Sequence, residues 1–322
     1  MIVNAFGGIG VTVAAKEYGA VTQDLGIMDD LTATRSLLGF STPFIDVWDF
    51  DAIRGFNADL YWAYLPIPKS AKAGRLAERV HGGLWDDMDA LRELGDVGNA
   101  LLPITHVARY LPRAAAFEQE PEYLSLFEAI ADVFRSIGYS VWVGILHAEQ
   151  YGIAQLRPRA YLIARRDGVE AKCPKPTHSR YNHQAPYATD EGLPLWRSAA
   201  EVLGLPADLW FLSDRVCTPL SVPARTLSPR ARDLLLIDSF NERPNARERL
   251  LYRDVVQPPV TQFTTRQVTP EEIAMLQGFL PSMTKFAGNR RSVFNQITRA
   301  TPPPVVRAVL GELDAHGHES NL

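Results

Sequence analysis

The chain holds only two cysteines in 322 residues, Cys173 and Cys217. Two thiols cannot build a disulfide framework, and their scarcity fits a reducing compartment. No uninterrupted apolar run reaches the ~20 residues that cross a bilayer, so no membrane partner is expected. The start, MIVNAFGGIG, lacks a basic leader and turns glycine-rich at once. No signal peptide is therefore expected, and the expected location is cytoplasmic, at the nucleoid if DNA is bound. No metal site is expected. There is no internal repeat, and no low-complexity tract beyond Pro302–Pro304. The charge excess is small, −4, and by itself argues weakly against a nucleic-acid partner.

What is present is more informative. Hydrophobic residues make up 46% and charged residues 22%, ordinary for a globular protein with a sizeable core. Residues 78–96 are acidic. Residues 157–180 are basic, with Arg157, Arg159, Arg165, Arg166, Lys172, Lys175 and Arg180, and residues 285–299 carry Lys285, Arg290, Arg291 and Arg299 with no acid. A single such cluster reads as solvated surface charge, whereas two together suit a phosphate-facing surface.

The first 50 residues alternate strand and helix. MIVNAFGGIG reads as a short strand running into glycines, VTQDLGIMDD as a second strand and FIDVWDF as a third, with VTVAAKEYGA and LTATRSLLGF as helices. That alternation predicts a mostly parallel sheet with helices on its faces. LYWAYLPIPKSAKAGR is a strand ending in a stiff proline loop. A weakly patterned acidic stretch follows to about residue 100, then a helix and a strand ending at Phe117. Leu126, Ile130, Val133, Phe134 and Ile137 have helix spacing, with Gly138 as the stop. SVWVGIL and RAYLIARR read as strands of a hairpin. From about 167 to 261 prolines recur and the alternation fades, which predicts a small irregular insert. Order returns at TPEEIAMLQGF, where Thr269, Pro270 and Glu272 spell a capping box, and at the helix PPPVVRAVLGEL.

Several residues are placed for chemistry. Phe6, Gly8 and Gly10 form F-x-G-x-G directly after the first strand, a turn that lets a ligand approach backbone at a helix start. Asp46 ends the third expected strand, as a ligand contact or as a turn-capping residue. Glu118 ends another strand, as a candidate acid or as a surface glutamate. Gln155, Arg157 and Arg159 alternate, so an extended segment would turn all three to one side. Two arginines on one face suit a phosphate or a base edge.

In this order the pieces resemble the DNA (cytosine-5) methyltransferases. FGGIG resembles the family's F-x-G-x-G, IDV its third-strand acid, and LPIPKSAKAG its P-P-C-Q-x-F-S-x-A-G loop. EQEP is similar to E-N-V or E-Q-V-P, QYGIAQLRPRAYLIARR to Y-G-V-P-Q-x-R-x-R, and QITRATPPPVVRAVL to Q-x-G-N-A-V-P-P-P. VTPEEIAMLQGF resembles the helix before that last element. The resemblance implies a Rossmann-like α/β S-adenosylmethionine-dependent methyltransferase fold over residues 1–166 and 262–322. Residues 167–261 would be a small target-recognition-like domain. It also implies a reaction in which a cytosine is flipped out of the duplex, a cysteine thiolate adds to ring C6, and a glutamate holds ring N3 while C5 takes the methyl group.

The resemblance assigns the cofactor to Phe6, Gly8, Gly10, Asp46 and Pro66, and catalysis to Glu118, Arg157 and Arg159. Gln155, Arg165, Arg166, Arg290 and Arg291 become candidates for contact with double-stranded DNA. The sequence also departs from the pattern. Ile67 stands where the family has its cysteine. Met28 replaces the second-strand acid, with Asp29 as a possible substitute, and Thr298 and Arg299 replace a glycine and an asparagine. These three changes weaken the expected grip on S-adenosylmethionine. Ile67 cannot act as a nucleophile. The expectation is therefore a protein inactive alone, serving as a DNA-binding or regulatory subunit beside an active methyltransferase. The alternative is an active nucleobase-modifying enzyme with a replaced nucleophile, for which Lys69 is the group to test.

Overall fold

A computed structural model describes residues 1–25, 33–35, 38–40, 44–55, 57–212, 217–228, 234–237, 265–283 and 285–314, without the side chains of Cys217 and Thr265. The chain divides into two compact units. The first comprises Met1–His147, Pro158–Lys175 and Pro303–Leu322, and the second Ala148–Arg157 and Pro176–Pro302. The second unit thus takes in 148–157 and 265–302, segments whose motifs the sequence groups with the first. Among the described residues, no helix is long and apolar enough to cross a membrane.

The first unit is built on a six-stranded sheet. Its strands are β1 (Ile2–Ala5), β2 (Thr22–Leu25), β3 (Leu60–Tyr64), β4 (Ala114–Gln119), β5 (Ser140–His147) and β7 (Pro158–Arg165), in the order β2-β1-β3-β4-β7-β5. β2, β1, β3 and β4 run parallel, while β7 lies antiparallel between β4 and β5. β5 and β7 form the expected hairpin. Period-two alternation divides the two faces. Val3, Ala5, Tyr61, Ala63, Ala115, Phe117 and Leu162 point into one hydrophobic cluster with Leu76, Leu101, Ile104, Phe127 and Phe134 from the helices Ala73–His81, Asp96–Tyr110 and Leu124–Ser136. On the other face lies Trp62, fully buried, with the helices Gly8–Glu17 and Pro303–Asp314 packed on each other.

Helix Leu124–Ser136 stops where expected, with Gly138 at φ +90°. The stretch at 44–50 is not a strand. Only Ile45 bridges to Leu25, and a turn follows. The Asp46 carboxylate accepts from the Trp48 amide (2.9 Å) and Asp49 caps the short helix Phe50–Gly55 through Ala52 N–H (2.9 Å). Such side-chain-to-backbone bonds compete with the sheet ladder. The helix read at 31–40 lies largely outside the described residues. The acidic stretch before residue 100 is helical: Ala73–His81, Met88–Glu93 and Asp96–Tyr110.

The second unit is irregular from Pro176 to Ser198, as expected. It then holds a helix, Ala199–Leu203, and an antiparallel sheet of β8 (Trp210–Leu212), β9 (Cys217–Pro219), β11 (Leu235–Ile237) and β12 (Thr265–Gln267). A short parallel pair joins β6 (Gln155–Leu156) to β10 (Ala224–Arg225). The capping box forms: Thr269 Oγ1 accepts from Glu272 N–H, and Glu272 accepts from Thr269 N–H.

Candidate functional site

In the first unit the carboxyl ends of β1, β3 and β4 bring three sequence elements to one edge of the sheet. The first is the glycine turn. Phe6 takes a left-handed φ of +59° and Gly8 of +69°. Helix Gly8–Glu17 starts there with no side-chain cap and no acid in its first turn, the arrangement that suits an anionic group. Gly7 is required by packing: a Cβ would sit 2.9 Å from Trp62 Cδ1 and closer still to Asn4 Oδ1. Beneath the turn is a polar network that motif reading missed. Buried Asp24 accepts from Thr12 (3.1 Å) and Asn4 and pairs with buried Arg35 at 2.8 Å. Burial raises the Asp24 carboxyl, opposed by Arg35 and the hydrogen bonds.

The second element is the loop after β3. Leu65 is buried, and its carbonyl accepts from the Gln119 amide. Tight turns follow, with Ile67 N–H on Leu65 O (2.7 Å) and Ala71 N–H on Pro68 O (2.9 Å). Pro66 and Ile67 are half-buried, and Ile67 packs against the hydrophobic cluster. Lys69 and Ser70 are exposed.

The third element is a charged cluster. Tyr64, Glu118 and Tyr161 are in register across β3, β4 and β7. Glu118 is 1% exposed, so the surface-glutamate alternative does not hold. Arg159 lies between two carboxylates, with Nε 3.9 Å from Glu118 and Nη1 2.7 Å from Glu120. Arg159 Nη1 also donates to the Pro158 carbonyl, at 2.9 Å. Tyr64 belongs to this cluster although no motif marks it. Burial, then Glu120 and Glu118, raise its phenol, which keeps it protonated.

Other candidates lie apart from this cluster. Asp46 is exposed in the turn described above. Asp29 lies outside the described residues. Gln155, Arg157 and Arg159 do not share one strand face: β6 ends at Leu156, β7 begins at Pro158, and Gln155 and Arg157 belong to the second unit. Each strand answers to a different partner, β10 for one and β4 and β5 for the other. Gln155 is fully buried and braces the second unit through Gln277 (2.8 Å) and Leu227 N–H (3.2 Å). Arg157 is buried and donates to Thr298 O at 3.0 Å. Arg165 is 1% exposed, clamped by Asp167 (2.8 and 2.6 Å) and the Glu312 carbonyl. Its place is structural and at the opposite sheet edge. Arg166 is exposed and stacks over Tyr139. Arg290 and Arg291 are exposed in the first turn of helix Arg290–Arg299, where positive charge opposes the helix dipole.

No thiol of the first unit approaches the cluster. β7 ends at Arg165, opposite Ala114 and Ser140 at the amino-terminal edge. Ala171 N–H bonds Ser140 Oγ there, and exposed Cys173 is two residues further. Four residue steps along β4, from Ala114 to Glu118, separate that edge from Glu118, roughly 13 Å at ~3.3 Å per residue. Among the described residues no group of three or more acid, histidine or cysteine side chains could hold a metal ion.

Comparison with known proteins agrees with this geometry. Residues 119–204 match the family of C-5 cytosine-specific DNA methylases. The chain is 42% identical over 53 residues to the type II methyltransferase M1.HphI of Haemophilus parahaemolyticus, 16% of this chain and 14% of that one. It is 27% identical over 262 residues to M.NgoMIV of Neisseria gonorrhoeae, covering 78% and 75%. The matched part thus spans well under two thirds of the first relative. The fold is similar to that of the S. pombe Dnmt2 methyltransferase, with a TM-score of 0.64 at 13% identity over 100% and 99% of the chains. A sheet with one antiparallel strand inside it, a glycine turn after β1 and a buried glutamate at the end of β4 accompany these matches, and the chain is similar in sequence and in fold to the cytosine-5 DNA methyltransferases.

Proposed function

We propose that this chain is a non-catalytic member of the cytosine-5 DNA methyltransferase family that binds double-stranded DNA in the cytoplasm and acts beside an active methyltransferase subunit. One feature supports the reading: the motif resemblance aligns Ile67 with the family's cysteine, and Ile67 packs on the core. A hydrocarbon branch has no lone pair, so no covalent bond to a pyrimidine C6 can form there. The pairing of Arg159 with Glu120 supports the same reading, because a substrate would have to compete with that carboxylate.

The residues that remain fit S-adenosylmethionine in part. The uncapped amino end of helix Gly8–Glu17 suits a carboxylate, and Asp46, exposed beyond β2, suits a hydroxyl-bearing sugar. When bound, the cofactor supplies a methyl group. Glu118 and Arg159 would orient a ring edge by hydrogen bonding, and Tyr64 would hold its proton beside them. This retained set favours a second reading, in which an altered nucleophile such as Lys69 serves another modification. A modified nucleoside in digested DNA, with Lys69→Ala abolishing it, is the outcome specific to that reading.

For DNA binding the test is salt dependence. Arg290 and Arg291 are exposed where positive charge opposes the helix dipole, and Arg290 also donates to the Val268 carbonyl (3.1 Å) and lies over Phe294; an anionic partner would offset the charge. Arg290→Gln with Arg291→Gln should weaken binding to duplex DNA and lower the slope of log K against log salt by about 2, near 0.9 per phosphate contact. An unchanged slope in fluorescence anisotropy removes these residues from the interface.

A further inference from the structure

The turn that carries Asp46 is held from outside the sheet. Its backbone meets the sheet at the Ile45–Leu25 bridge, where Ile45 N–H donates to the Asp24 carbonyl at 3.1 Å. Past Asp46 the holding groups belong to helix Asp96–Tyr110 of the same unit. Asn99, His106 and Tyr110 share one stripe of that helix, because their spacing follows its 3.6-residue turn. Asn99 Oδ1 accepts from Trp48 Nε1 (2.8 Å), and Tyr110 Oη donates to the Phe50 carbonyl (2.8 Å). Between them His106 packs edge-on against Phe50, ring centroids 4.9 Å apart, and Tyr61 of β3 meets its Nδ1 at 2.6 Å. Arg92 lies over the Trp48 ring at 5.4 Å.

We propose that Asn99 and Tyr110 are positioning residues for an S-adenosyl ligand, setting the Asp46 carboxylate in place through Trp48 and Phe50. The proposal rests on the reading that Asp46 takes the sugar hydroxyls of that ligand. Strand register places the turn for it. Ala5, Leu25 and Ile45 are paired in line across β1, β2 and the bridge. Asp46 and the glycine turn after β1 therefore leave the same edge of the sheet, two strand spacings or about 10 Å apart. One S-adenosyl amino acid is long enough to span that distance, with its carboxylate at the helix start and its sugar at Asp46.

Among the described residues the Asp46 carboxylate takes one bond, from Trp48 N–H. Asp46 is exposed, so acceptor sites remain for a ligand. Trp48 is also the residue that Asn99 anchors, and the indole bond thereby fixes the amide that orients the carboxylate. Apolar side chains could fill the same stripe. Polar groups set into a helix face cost free energy unless each is bonded. The bonds made here are directional, and they fix where the turn lies, which packing alone leaves loose. Binding groups supported in this way are preorganised, and the ligand does not bear the cost of ordering them.

Calorimetry on the full chain with S-adenosylhomocysteine tests the proposal, as a double-mutant cycle with Asp46→Asn. A turn released from the helix populates arrangements that do not bind, and affinity falls by the competent fraction. Asn99→Leu with Tyr110→Phe removes two neutral hydrogen bonds while keeping bulk, and affinity is expected to fall about tenfold. On the Asp46→Asn background the same pair is expected to cost nothing further, because it acts through that carboxylate. A contribution to general stability alone would weaken both backgrounds equally. If the pair does not fold, Tyr110→Phe by itself decides, with about threefold weaker binding expected. Wild-type affinity in these variants, or an equal further loss on the Asp46→Asn background, overturns the positioning role and leaves the reading of Asp46 standing. Absent binding by the wild type, or undiminished binding by Asp46→Asn, removes that reading and the proposal with it.

Discussion

Gly7 leaves no space for a side chain, and this single atom's worth of room shapes the turn after β1. A methyl group there meets Trp62, Val11 and Asn4 at once. Gly7→Ala is expected to cost about 1–3 kcal/mol by overpacking, read as a lower urea midpoint with an unchanged slope. Two buried titratable groups act at the same scale. Burial pushes the His106 imidazole down to about 3, while the unfolded chain takes up that proton near pH 6.5. The stability tied to neutral His106 is full above about pH 6.5 and is lost as pH falls towards 3. Burial pushes the Glu149 carboxyl up to about 7 from 4.5. Its contribution is full below about 4.5 and is lost as pH rises through 7. Between pH 4.5 and 6.5 the two slopes oppose one another, each about 1.4 kcal/mol per pH unit. His106 belongs to the first unit and Glu149 to the second. Glu149→Gln is therefore expected to make overall stability fall more steeply with acid across that window. Urea unfolding at four pH values checks this, and parallel curves for the two proteins would contradict it.

Elements were legible where several local signals agreed. Helix Leu124–Ser136 shows 3.6-residue spacing and a glycine stop, and helix Pro270–Leu276 carries its whole start signal in Thr269, Pro270 and Glu272. Thr269→Ala should cost about 1 kcal/mol, visible as a lower thermal midpoint, with Thr269→Ser restoring it. Elsewhere one signal outweighed another. FIDVWDF has strand composition, but Asp46 and Asp49 bond to nearby amides and turn the chain. The second half of helix Asp96–Tyr110 was expected, but its start was hidden by its charged approach and by Pro103 in its interior. The arginine alternation at 155–159 read as one strand because nothing local reveals that Leu156 and Pro158 pair with different sheets.

At the scale of the molecule, order along the chain carried the family resemblance, and spatial neighbours carried the rest. Glu118 and Arg159 were each readable from their motifs. Their junction with Glu120 and Tyr64 was not, since it depends on the register of β3, β4 and β7. Gln155 and Arg165 looked like contacts for DNA because polarity suggests surface, yet both are consumed by internal partners. The motif resemblance alone sets Ile67 against the family's cysteine, and the geometry adds that Cys173, the other unit-one candidate, sits at the far edge of the sheet. The most direct measurement is transfer of a labelled methyl group from S-adenosylmethionine to duplex DNA by the purified chain alone. No label above a no-protein control is expected, for the wild type and for Glu118→Ala alike. Multiple turnovers by the wild type that vanish in Glu118→Ala would contradict an inactive chain.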